Sequence, residues 1–214
     1  AGYKPEIALK YIDNVLNQYE KDGLAFQRYG RVNQDGLGDD ILSGNSLALI
    51  GLYKAIYGIN PLYNRLYLDP HITDKLSGTN LLYNFRNDKL TIGLKTNDYA
   101  ISNEQFKVSS KFDFGFFAEE NELTWFSRNE DQFSLKAKTP SKLSLEILKW
   151  DNGEFSWNQL SNNETGKISY NINVSNAGKE YTVSDGIKSW KLKSDKNGFL
   201  KFELKSGNKL LTIK

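Results

Sequence analysis

The apolar period of this chain changes at Pro61, and that change constrains the fold more than any single motif. Before Pro61 the apolar residues recur at helical spacing. After about residue 78 they alternate almost entirely with a period of two. A chain with this layout is mainly β with an N-terminal α-hairpin. Residues 5–21 predict an amphipathic helix. Pro5 suits its first turn, Glu6 meets the positive end of the helix dipole, and Gly23 stands where it should end. Ala8, Ile12, Val15, Leu16 and Tyr19 form its apolar stripe. A second helix is predicted over 46–57, "SLALIGLYKAIY", capped by Asn45 or Ser46 and closed by Gly58 and Pro61. Only Ser46 and Lys54 are strongly polar in it, so it should be buried on every side.

Beyond Pro61 come about a dozen short strands, read from segments such as "TNLLYNF", "KLTIGLKT", "ELTWFSR", "KLSLEILKW", "KISYNINVS" and "GFLKFELKS". Turn residues such as Asp151-Asn152-Gly153, Asp185-Gly186 and Lys196-Asn197-Gly198 separate them. Strands at this spacing predict a two-sheet antiparallel β-sandwich. The stretch "SWNQLSNNETG" is polar and reads as a mobile loop.

Composition narrows the function classes. At 39% hydrophobic and 13% aromatic residues, the 214-residue chain can bury a core and is not disordered. A net charge of +2 with interspersed signs supplies no basic patch, so no nucleic-acid partner is expected. No apolar run reaches the roughly 18 residues of a membrane helix, and no membrane partner is expected. Cysteine is absent, which excludes disulfides and thiolate metal sites. His71 is the only histidine, which excludes histidine clusters and His-based triads and favours a packing role. No phosphate-binding glycine motif or nucleotide fingerprint occurs, and no cofactor is expected. Composition leaves the compartment unfixed, with a periplasmic or secreted setting favoured over the cytoplasm.

Two helices alone cannot surround one of themselves. An amphipathic helix followed by a wholly apolar one is the pattern of an outer–inner pair in a helical toroid. Methionine is absent even at residue 1. The expectation is therefore a chain that belongs to something longer, with the remainder of a helical barrel as the partner of residues 1–60.

The segment "GNSLALIGLYKAIYGINPLYNRLYLDPHI", 44–72, carries a resemblance. It is similar to the end of the six-hairpin, (α/α)6-barrel glycosidases near the cellobiose-phosphorylase-like clan. There a buried inner helix is followed by a "GI-P-Y--L-L-P-I" segment and a β-sandwich cap. Gly58, Ile59, Pro61, Tyr63, Leu66, Leu68, Pro70 and Ile72 occupy that pattern here. The resemblance implies a last helical hairpin over 1–60, a crossover linker over 61–77 and a C-terminal sandwich over 78–214. It implies a portion of a glycoside hydrolase-like enzyme acting on carbohydrate and inactive alone, with its general acid on earlier hairpins. It does not separate hydrolase from phosphorylase or lyase.

Under that resemblance, residues 22–45 line the catalytic rim. Glycoside cleavage needs two carboxyl groups flanking one bond, and Asp35, Asp39 and Asp40 are the acids available for one of them. At most one is expected to be catalytic, because neighbouring acids point in different directions. Phe26 or Tyr29 would stack on a sugar ring, and Arg28, Arg31, Asn33 and Gln34 would bond its hydroxyls. The three acids lack the alternating ligand pattern of a calcium loop, so no metal is expected. Read from the residues alone, the same stretch is turn and capping chemistry. Two other functions compete: a carbohydrate-binding sandwich using Trp125, Trp150, Trp157 and Trp190 as a platform, and a structural or dimerisation domain.

Overall fold

The computed structural model describes residues 4–22, 26–33, 35–40, 50–127, 133–151, 153–163 and 165–214. Helix α1, Pro5–Asp22, opens the chain. Leu9 and Ile12 are its buried residues, while Leu16, expected on the apolar stripe, is 40% exposed. A short hairpin follows, β1 Phe26–Tyr29 and β2 Gly36–Asp40. Of the second predicted helix, 46–49 lie outside the described residues. Residues 50–56 are helical, and Leu52–Ile56 is π-wound, closed by Tyr57 N–H donating to Leu52 O at 2.9 Å. Burial in this piece is one-sided. Ile56 is fully buried, but Ile50 and Tyr53 are 48% and 40% exposed. Among the described residues this helical piece is not covered all round.

The rest is a two-sheet sandwich. Residues 61–77, expected as a crossover, join the sheets. β3 Ile59–Leu62 and β4 Arg65–Leu68 form a hairpin, β4 pairs with β9 Phe114–Glu119, and a 3-10 turn spans Asp74–Leu76. Pro61 is tolerated because β3 is an edge strand. Beyond β9, the first sheet continues through β10 Glu122–Ser127, β11 Ser134–Lys138, β14 Lys167–Asn173 and β17 Phe199–Lys205. The second sheet runs in the order β16 Ser189–Lys193, β15 Glu180–Ser184, β18 Lys209–Ile213, β13 Glu154–Leu160, β12 Leu143–Asp151, β8 Phe106–Ser110, β7 Asp98–Ser102, β6 Asp88–Lys95 and β5 Thr79–Phe85.

One pair departs from the antiparallel expectation: β8 and β12 run parallel. The chain leaves β8, builds β9, β10 and β11 in the other sheet, and returns beside β8. An even number of chain reversals along that path leaves β12 pointing the same way as β8.

Alternation explains the core. Leu66, Phe116, Trp125, Leu135, Ile172 and Leu200 form one cross-strand row over six strands of the first sheet. All are essentially inaccessible. In the second sheet the matching row is Leu81, Ile92, Ile101, Val108, Leu145 and Gln159.

That second row ends on a polar residue, and Gln159 is fully buried. It accepts a hydrogen bond from Tyr170 Oη at 2.9 Å, across the gap between the sheets. It also donates to the carbonyl of Gly207 at 2.7 Å, in the turn before β18. The "SWNQL" stretch is therefore core strand, not mobile loop. Burial pushes the Tyr170 phenol well above its ordinary value, so it remains a donor. Gln159→Leu keeps the shape but strands the Tyr170 hydroxyl and the Gly207 carbonyl. Urea unfolding is expected to register a loss of about 1–3 kcal/mol. Combining it with Tyr170→Phe should cost less than the sum of the single changes, because the second removes a stranded group.

Candidate functional site

The hairpin β1–β2 carries the sequence-derived candidates, standing between α1 and the helical piece at 50–56. Its register pairs Phe26 with Asp40, Arg28 with Leu37 and Tyr29 with Gly36, and a bulge lies between Phe26 and Arg28. The turn closes by Gly30 N–H donating to Asp35 O at 2.9 Å. A Cβ on Gly30 would meet only the tip of the exposed Asn33 side chain, which would have to swing aside. Gly38, with φ 87°, takes a left-handed conformation inside β2.

Asp35 sits at the base of this turn and is spoken for. Its carboxylate accepts from Asn33 Nδ2 and pairs with Lys21 Nζ at 3.4 Å, in the last turn of α1. Both charged side chains are more than half exposed, so the pair is a surface tether from the hairpin to the helix end. Arg31 and Asn33 are exposed on the same turn. Gln34 lies outside the described residues, as do the side chains of Phe26, Arg28, Tyr29, Asp39 and Asp40. Positions 39 and 40 are consecutive in β2, and consecutive strand positions alternate between the faces of a ribbon. The structure thus brings the described candidates onto one hairpin and assigns Asp35 a tethering contact.

The tryptophans form no exposed platform. Trp125 and Trp157 are fully buried, and Trp150 and Trp190 are partly buried against the core. Their rings run as a chain across it. Trp125 to Trp150 is 4.4 Å between centroids, Trp150 to Trp157 6.2 Å, Trp157 to Tyr170 5.4 Å, and Trp190 to Phe202 6.0 Å. Such tilted and edge contacts belong to a packed interior.

His71 belongs to the junction between helix and sandwich. Its backbone N–H donates to Ile56 O at 2.8 Å, and its ring Nδ1 is buried with no hydrogen-bond partner. Nearby Asp113, just before β9, has its carboxyl pushed above the usual range by burial, with His71 and a backbone hydrogen bond pulling the other way. No apolar period or turn motif marks Asp113 in the sequence, and the fold alone brings it to His71. Among the described residues no group of three or more His, Cys, Asp or Glu is arranged to hold a metal ion. No helix among them is long and apolar enough to cross a membrane. Comparison with known proteins finds no match: no family model, no curated protein and no solved structure matches this chain.

Proposed function

We propose that this chain is the C-terminal portion of a carbohydrate-active, glycoside hydrolase-like enzyme. Residues 1–60 close an (α/α)6 barrel, the β1–β2 hairpin forms part of its substrate rim, and the sandwich caps it. The observation that carries this reading is the uncovered apolar side of the helical pieces. Ile7 and Tyr11 on α1 are 50% and 70% exposed, and Ile50 and Tyr53 stay exposed on the second piece. Large apolar side chains left open on neighbouring helices call for further helices against them. The rigid seam at 56–71 supports it too, because it would fix a barrel end against its cap. On this reading the chain alone is inactive, since the general acid lies on earlier hairpins.

The test uses the full reading frame that contains this chain, assayed for cleavage of a panel of glycosides in water and in phosphate. Asp35→Asn, Asp39→Asn and Asp40→Asn are compared. Either Asp39→Asn or Asp40→Asn is expected to lower kcat by about 100-fold or more, the scale of lost acid–base assistance. Asp35→Asn should stay within about fivefold, as loss of an exposed ion pair allows. A reading frame with no helical hairpins upstream would sink the proposal, as would three variants at the parent rate.

A further inference from the structure

A cleft opens where four turns of the two sheets meet, and none of its lining residues belongs to the β1–β2 hairpin. It is a half-open cleft of about 920 Å³, within the size range of small-molecule sites. The turns come from β3–β4 and β9–β10 in one sheet and from β5–β6 and β7–β8 in the other. Hydrogen bonds pin the walls to each other across the sheets. Arg86 Nη2 donates to Tyr63 O at 3.0 Å. Gln105 Nε2 donates to Thr139 O at 3.0 Å and to Asn121 Oδ1 at 3.3 Å. Asn103 Oδ1 accepts from the N–H groups of Gln105 and Phe106, at 3.0 and 2.7 Å, and so fixes the β7–β8 turn.

Three of these tips are built against local preference. Tyr63, Arg86 and Glu120 have φ of 54°, 57° and 45°. Each is followed by an asparagine. Hairpin turns of this kind favour asparagine, aspartate or glycine at the first central position. Arg86 and Glu120, which both line the cleft, stand there instead, and strained positions of this sort concentrate at ligand-binding sites.

The polar groups lining the cleft are also unspent. Asp88, Lys89, Glu104, Glu119 and Glu120 form no side-chain hydrogen bond or ion pair among the described residues, although surface lysines and acids elsewhere in the sandwich pair repeatedly. Asn64 and Asn87 are likewise uncommitted.

We propose that this cleft binds a short neutral oligosaccharide. Its four carboxylates outnumber the charges of Arg86 and Lys89 and turn away anionic ligands. They are not grouped to hold a metal ion. What remains is a set of planar forks, the carboxylates, the two amides and the guanidinium. Each can bond two neighbouring hydroxyls at once. Phe117, half-buried in the wall, offers a ring to the apolar face of a sugar. The proposal is independent of the barrel and of the β1–β2 hairpin.

Isothermal titration calorimetry on the 214-residue chain tests it without any catalytic readout. The probes are neutral gluco-, manno-, galacto- and xylo-oligosaccharides, with oligogalacturonate and spermidine as charged counter-probes. At least one neutral series is expected to bind. Phe117→Ala and Glu104→Gln should each weaken it by about tenfold or more. Glu104→Gln alters only an exposed side chain, so it keeps the test valid should Phe117→Ala unfold. Absence of heat with every neutral series would overturn the proposal. So would unchanged affinity in a folded Glu104→Gln variant, or preferential uptake of spermidine or oligogalacturonate.

Discussion

Gly58→Ala is expected to lower the free energy of unfolding by about 2–5 kcal/mol. Gly58 joins the helical piece to β3 with φ +63°. A left-handed alanine costs about 1–2 kcal/mol by itself. The larger part comes from the neighbouring chain. A Cβ at this position would overlap the carbonyl of Asp69 and lie 2.5 Å from Pro70 N. Those are backbone atoms, held close because Asp69 N–H donates to Gly58 O at 2.9 Å. Forcing them apart adds about 1–3 kcal/mol, the usual penalty of overpacking. Gly78→Ala is the control. It has φ +93°, but its Cβ would meet nothing within 4 Å. Urea denaturation followed by tryptophan fluorescence should show only the conformational cost for Gly78→Ala. If the two variants lose equal stability, the close approach at Gly58 is not what demands glycine there.

The same seam explains the segment that carries the resemblance. Ile59, Leu66 and Leu68 are essentially inaccessible, and Ile72 is buried with them. Tyr63 takes the left-handed turn position. The spaced pattern from Gly58 to Ile72 is thus a hairpin docking a helix end onto a sheet, with physical reasons of its own.

Where side chains alternate cleanly the fold was legible. "TNLLYNF" and "KLTIGLKT" are β5 and β6 almost to the residue, with Arg86 and Asn87 turning between them. Legibility failed where burial falls on a polar or interrupted strand. β13 places Gln159 in the core and so looks like loop. β7 and β8 are five residues each, with serine and alanine diluting the alternation. β3 contains a proline. The parallel contact of β8 with β12 depends on a path through the other sheet, which no local pattern encodes. For the candidate site, turn chemistry marked 22–45 only as a loop, and the two strands within it are seen only in the fold. The tether from Asp35 to Lys21 spans fourteen positions and needed the fold. The cleft at the sheet ends was invisible for the same reason, since its walls come from four turns far apart in the chain.

Trp157→Ala is expected to cost about 3–5 kcal/mol, the range for deleting a large buried aromatic side chain. Trp157 stands on β13 of one sheet with no exposed surface, and its ring lies 5.4 Å from that of Tyr170 on the other. It also touches the group around Trp150, whose ring lies 4.7 Å from Phe155. Removing it opens a cavity where the sheets are stitched together, and the well-formed strands on both sides cannot collapse to fill it. Trp190 gives the comparison. It is half-buried on an edge strand, so Trp190→Ala should cost distinctly less. Thermal and urea unfolding of both variants separate the two roles open to these tryptophans. A residue serving as an exposed sugar platform would leave stability within about 0.5 kcal/mol of the parent and abolish binding. Trp157→Ala should do the reverse, losing stability while a folded fraction keeps whatever saccharide affinity the distant turns confer. If Trp157→Ala unfolds at the parent midpoint, the aromatic chain is not what holds the two sheets together.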